Sequence, residues 1–120
     1  MAMYLGRDQT VAVIPSGYAR FNGESDLIKI DLEVPYIRVQ LNVSEVPNPD
    51  AYLTVFIEDS LDQDNWHVVG QFPQIHRDSE KKIHVINIVR PFTNLMRVRW
   101  EITGDSPDPR FSFRVDCFVG

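Results

Sequence analysis

Cysteine is nearly absent: Cys117 is the only one in 120 residues, so no disulfide can form within the chain. It falls in the apolar register of the last strand-like run, and a buried, inert thiol is expected there, because a reactive cysteine needs an exposed position and a partner histidine. Long apolar runs are missing as well, and nothing approaches the roughly 18 residues that a membrane-crossing helix requires. Basic clusters are missing too. Lysine and arginine never occur four together, and 12 of them stand against 17 acidic residues, for a net charge of -5. Nucleic-acid binding draws its affinity from cations that displace counterions around phosphate, so neither DNA nor RNA is an expected partner.

Glycine is sparse, with six residues dispersed along the chain, and none of them forms a phosphate-cradling loop. No window of twelve carries a helical apolar stripe, and Pro91 to Leu95 has room for one helical turn at most. The opening Met-Ala-Met-Tyr-Leu-Gly-Arg-Asp lacks a basic flank followed by an apolar stretch, so no secretory signal is expected and folding is placed in a cytoplasm. At 120 residues one domain is the natural size, since halving the chain leaves too little core for either half.

What the sequence does contain is alternation. Ile28, Ile30, Leu32 and Val34 alternate with Lys29, Asp31 and Glu33, and Ile37, Val39, Leu41 and Val43 with Arg38, Gln40 and Asn42. Successive side chains on a strand point to opposite faces, so each run has one apolar and one polar face. Pro35 lies between them and cannot donate to a ladder, which places a bend or corner there. Leu53, Val55 and Ile57 share one face of the run from Ala51 to Glu58, and Phe56 on the other face implies that this side is partly covered too. A further run covers Trp66 to Phe72. The run from Lys82 to Val89 has apolar residues on both sides, which fits a central strand or a subunit contact.

The last two runs are the most regular. Met96, Val98, Trp100 and Ile102 face inward opposite Arg97, Arg99 and Glu101, and Phe111, Phe113, Val115, Cys117 and Val119 opposite Ser112, Arg114 and Asp116. Turn-rich stretches at Pro47 to Asp50, Asp59 to Asn65, His76 to Lys81 and Gly104 to Pro109 separate these runs. Short strands at regular spacing predict an all-β, single-domain antiparallel β-sandwich, jelly-roll or immunoglobulin-like, of about seven to eight strands. Residues 1–24 read as an N-terminal arm or edge strand, with Thr10 to Ile14 strand-like, and residues 25–120 as the sandwich domain.

No residue set declares a reaction. His67, His76 and His84 follow no compact zinc spacing, and one cysteine cannot complete a structural site, so no metal is expected. The acidic stretch from Asp59 to Asn65 fails the calcium-loop pattern, where only Asp62 and Asp64 match, and an Asx-rich turn accounts for the same residues. The serines stand in no nucleophile elbow. The expectation is a protein with no enzymatic activity and no cofactor. Trp66 and Trp100 read as core packing; exposed, Trp66 with Tyr52 and the acidic loop would instead suit a carbohydrate-binding module.

Two segments carry a family resemblance. Glu58-Asp59-Ser60-Leu61-Asp62-Gln63-Asp64-Asn65-Trp66-His67-Val68-Val69 resembles a hairpin of small tailed-bacteriophage β-sandwich virion proteins. Leu95 to Gly104, with Ser106-Pro107 and Phe111-Ser112-Phe113-Arg114-Val115, is similar to that family's closing strands. Gln63 departs from the pattern, standing where the hairpin glycine is usual. The similarity spans roughly residues 27–120. It implies a capsid decoration (cement) protein on the virion surface, made in the host cytoplasm, bridging subunits of the major capsid protein and itself a homo-oligomer, trimer or dimer. A tail or baseplate component is the structural alternative, and a carbohydrate-binding module for host attachment is the alternative from another class. The expected contact residues are Tyr4, Arg7, Tyr18, Phe21, Pro47, Pro49, Asp62, Asp64, Pro107 and Pro109, on the first segment and three of the loops.

Overall fold

Alternating β-branched and polar residues produce strands nearly everywhere, and the described residues contain no helix. The computed structural model describes residues 3–6, 9–31, 33–46, 51–76, 82–104 and 109–119. Within them lie ten strands: β1 (Met3–Leu5), β2 (Gln9–Ala19), β3 (Gly23–Glu24), β4 (Ile28–Ile30), β5 (Tyr36–Glu45), β6 (Ala51–Ser60), β7 (His67–Gln71), β8 (Ile83–Val89), β9 (Leu95–Gly104) and β10 (Phe111–Val119). They form two sheets. A six-stranded sheet runs β1-β4-β9-β6-β7, with β3 also on β9, and a four-stranded sheet runs β2-β10-β5-β8.

The core lies where the apolar faces of the two sheets meet. From β6 come Leu53, Val55 and Ile57, from β9 Met96 and Val98, from β5 Ile37, Val39, Leu41 and Val43, and from β10 Phe111, Phe113, Val115, Cys117 and Val119, all buried. Burying one such side chain fully is worth about 1.5–3 kcal/mol. β6 and β9 pair along their whole lengths, from Ala51↔Gly104 to Ser60↔Leu95. Pro35 falls where the chain leaves β4 in one sheet for β5 in the other, which makes it the corner.

Several expectations need correction. Ten strands replace seven or eight, because residues 3–24 supply three and the run from Ile28 to Val34 pairs only over Ile28–Ile30. Val34 is nevertheless buried, while Leu32 lies outside the described residues. The pairing is not wholly antiparallel, since β1 lies parallel to β4 through Met3↔Ile28 and Leu5↔Ile30. β8 is not central: it closes one edge of its sheet, and among the described residues one side of its backbone has no strand partner. Trp100, expected in the core, is only half-buried; its Nε1 donates to the Phe21 carbonyl at 2.9 Å, and an indole with a partner at the rim has no need of complete burial. The first segment contributes β2, which pairs antiparallel with β10 from Phe111↔Ala19 to Val119↔Gln9, with register shifts on either side of Val115.

Candidate functional site

The outer face of the six-stranded sheet carries a ladder of paired charges. Antiparallel register sets Arg97 opposite Glu58 and Arg99 opposite Phe56. Glu58 is 5% exposed although it points away from the core. Its Oε1 accepts from Arg97 Nε at 2.9 Å, and its Oε2 is paired with Arg99 Nε at 3.2 Å. Each arginine then reaches a second carboxylate: Arg97 Nη1 meets Glu24 Oε2 and Arg99 Nη1 meets Glu101 Oε1, both at 2.6 Å. Glu24, Arg97, Glu58, Arg99 and Glu101 thus alternate in sign across three strands. Aromatic rings support the ladder, with the Arg97 guanidinium 4.2 Å above the Trp66 ring and Arg99 4.3 Å above Phe56. Burial alone lowers the Arg99 pKa, but the hydrogen bonds it donates to Glu101 and Glu58 outweigh that, and the group is held above its ordinary value. Both oxygens of Glu58 face guanidinium groups, so this carboxylate is a structural anion and is not aimed at a substrate proton.

The loop between β6 and β7 is built by side chains bonding their own backbone. The Ser60 hydroxyl accepts from the amides of Asp62 at 3.2 Å and Gln63 at 2.9 Å. Asp62 Oδ1 accepts from the amides of Asp64 and Asn65, and Oδ2 from Asn65 Nδ2, each at 2.9 Å. These donors, the Asn65 and Asp64 amides first, hold the Asp62 carboxyl well below the usual carboxylate range. Gln63, at the position where glycine is usual, does take a left-handed conformation with φ 68°. Its carbonyl accepts from Trp66 Nε1 at 3.1 Å. Asp62 therefore spends its lone pairs on the turn, and among the described residues no group of three or more His, Cys, Asp or Glu side chains is placed to hold a metal ion.

Trp66 and Tyr52 do not make one sugar platform. One face of Trp66 is occupied by Arg97, beside Glu58, whereas Tyr52 stands six residues away on the same strand, about 20 Å at the usual rise. Tyr52 packs instead against His76, with ring centroids 5.7 Å apart. Cys117 is buried, and burial pushes its thiol up to about 12, far from a nucleophile's range.

The expected contact residues separate into two groups. Tyr18, Phe21 and Pro109 sit at one end of the molecule. There Tyr18 OH donates to Glu45 Oε1 at 3.0 Å, and the Arg110 guanidinium lies 4.6 Å above the Tyr18 ring. The Glu45 hydrogen bond, then its charge, raises the Tyr18 pKa. Tyr4, Asp62 and Asp64 sit at the opposite end, where Lys29 Nζ lies 5.2 Å above the Tyr4 ring. Arg7, Pro47, Pro49 and Pro107 lie outside the described residues. Sequence reasoning did not single out Leu61, which is 87% exposed at the tip of the β6–β7 loop, or Val68, Ile83, Val85 and Val89, exposed on the edge strands β7 and β8. For β8 the signal was present in its two-sided apolar pattern.

No protein-family model matches this chain, and no curated protein is similar to it. Among solved structures it is similar to the Yersinia pseudotuberculosis-derived mitogen, at 14% identity and a TM-score of 0.56, covering 94% of this chain and 87% of the mitogen. It also matches part of two Bacillus thuringiensis proteins. The insecticidal delta-endotoxin Cry8Ea1 is 12% identical with a TM-score of 0.43, over 88% of this chain and 19% of the toxin. The Cry1Da tryptic core variant is 12% identical with a TM-score of 0.38, over 98% of this chain and 25% of its own. At these identities the likeness to the mitogen concerns the two-sheet all-β fold and nothing else.

Proposed function

We propose that this protein is a structural component of a tailed-phage virion, a capsid decoration protein that bridges neighbouring major-capsid subunits. The observation that carries this reading is the placement of its exposed apolar side chains. Phe21, 81% exposed, and Tyr18 lie toward the end of the sandwich where β9 finishes and β10 begins, and Leu61, 87% exposed, and Tyr4 lie toward the opposite end, where Ser60 pairs with Leu95. A body with an apolar contact point at each end suits a bridge between two neighbours, since desolvated aromatic and aliphatic anchors carry most of the affinity at protein interfaces. The motifs shared with phage sandwich proteins support the same role, as does a polar face whose charges are already paired.

The finer architecture we assign is a jelly roll. Omitting the short β1 and β3, the first of the remaining eight strands pairs with the last, and pairing continues inward: β2 with β10, β4 with β9, β5 with β8, β6 with β7. That is one long antiparallel ribbon rolled into two sheets, an architecture that recurs in capsid and lectin domains.

The test is addition of the purified protein to heads assembled without it. Saturable co-sedimentation is expected, weakened at least tenfold by Phe21→Asp or Leu61→Asp in folded protein. Failure of the unaltered protein to bind such heads removes the decoration role. Antibody labelling of intact particles then separates head from tail or baseplate.

A further inference from the structure

We propose that β8 is a dimerisation edge, pairing antiparallel with β8 of a second copy of this chain. Edge strands present a row of unpaired amides and carbonyls, and soluble proteins blunt them by shortness, proline, bulges or charge. The other edges here are blunted. β1 has three residues. β7 has five, contains Gly70 and shifts register against β6. β2 contains Pro15 and Gly17 and shifts register twice against β10. β8 has none of these devices: its seven residues, Ile-His-Val-Ile-Asn-Ile-Val, hold an unbroken register with β5. Three of the four outward side chains are apolar, with Ile83 53%, Val85 49% and Val89 68% exposed.

The backbone is set up to match. The Val43 amide donates to the Lys82 carbonyl at 2.8 Å while Asn42 is the partner of Ile83, so Ile83 belongs to a pair that exchanges no hydrogen bonds with β5. By alternation, Val85, Asn87 and Val89 do the same, and all four residues aim N–H and C=O at the free edge. A two-fold axis at Ile86 places these four opposite their counterparts, Ile83 against Val89 and Val85 against Asn87, giving about eight main-chain hydrogen bonds. Every one of the outward donors and acceptors then has a partner.

Charge permits the approach. Each chain has a net charge of -5, yet β8 contains no carboxylate. The flanking cations are turned back on their own chain, Lys82 Nζ to the His76 carbonyl and the Arg90 guanidinium to the carbonyls of Val34, Asp31 and Phe92. Behind the edge the sandwich closes through side chains: a Cβ added to Gly70 would lie 3.0 Å from Ile86 Cδ1 and 3.1 Å from Ile88 Cδ1. A strand pair alone buries less than the roughly 1,200 Å² of a standard interface, so the dimer forms with increasing concentration and is not permanent.

Sedimentation of the full chain from about 1 µM to about 1 mM, the range of a weak interface, reads this directly. The mass is expected to rise from 13.9 kDa toward twice that value. A mass that stays at one chain, or that settles at three, overturns the proposal. Two outward-facing double variants test the strand and its register. Val85→Glu with Asn87→Glu sets carboxylates opposite each other and is expected to weaken association at least tenfold. Val85→Lys with Asn87→Glu sets opposite charges in the same places and is expected to restore it to within about threefold of the unaltered chain. Both share the Asn87→Glu change beside Arg38, so their melting temperatures should agree. A dimer that survives the first variant removes β8 from the interface, and failure of the second, while folded, overturns the Val85–Asn87 register. The result does not depend on whether the protein binds capsids.

Discussion

Replacing Glu58 with alanine tests whether the ladder on the six-stranded sheet holds the fold or merely decorates it. Glu58 has a side chain 7% exposed, while those of Arg97 and Arg99 are 20% and 27% exposed. Removing one partner of a fully buried ion pair costs about 3–5 kcal/mol, because a charge is left without compensation. Here each arginine retains a second carboxylate at 2.6 Å and some access to water, which brings the expected loss down to about 2 kcal/mol. For a domain of this size that is a fall in Tm of about 8 °C. Glu101→Ala removes a carboxylate whose side chain is 41% exposed and should cost under about 1 kcal/mol. Urea denaturation of the three proteins at low salt and at about 1 M salt, where the Debye length is about 3 Å, separates the contributions. The Glu101 effect should shrink with salt and the Glu58 effect persist. A Glu58→Ala protein within about 0.5 kcal/mol of the parent, or one indistinguishable from Glu101→Ala, refutes the reasoning.

Other expectations follow from tight contacts. Gly23→Ala would set a Cβ 2.3 Å from Trp100 Cζ2, and that ring is fixed by its bond to the Phe21 carbonyl and by Phe113, 5.6 Å away; a loss of about 2 kcal/mol is expected in chemical denaturation, and an unchanged midpoint would show that the ring yields. Asp62→Ala should lower the melting temperature near neutral pH by opening the β6–β7 turn. Because the folded carboxyl titrates below its ordinary value of 3.8, its contribution is present above that pH and lost as pH falls further, so parent and variant should converge in acid. A gap in melting temperature that stays constant from pH 7 to about pH 2 would count against that account.

The fold was legible where local pattern and tertiary environment agree. β9 and β10 alternate cleanly because each lies inside a sheet with one face on the core, and Pro35 marked the corner because its chemistry does not depend on context. The short β1 was not readable, since a strand of three residues is defined by partners distant in sequence, and β4 was read too long, because alternation continues to Val34 after the pairing stops at Ile30. β2 was seen only over Thr10 to Ile14, because Pro15 and Gly17 argue against a strand that an edge position tolerates. The β6–β7 loop was readable as an Asx turn, because its bonds span two or three residues. The ladder was not: Glu58 and Arg97 are 39 positions apart, Glu24 and Arg97 73, and nothing in either neighbourhood announces the pairing. Of the expected contact residues, the exposure of Tyr4, Tyr18 and Phe21 could be anticipated from their loops and edges, while Leu61 looked like one more apolar residue.

β10 occupies an inner position in the four-stranded sheet, between β2 and β5, yet it is the last of the ten strands to leave the ribosome. Until it emerges, the oldest long strand has no neighbour to bond with, and a wide gap separates it from β5. Assembly of that sheet therefore waits until the other nine strands have been made. The nascent chain carries open strand edges throughout, and closure must bring together segments about a hundred residues apart, the kind of long-range pairing that makes folding slow.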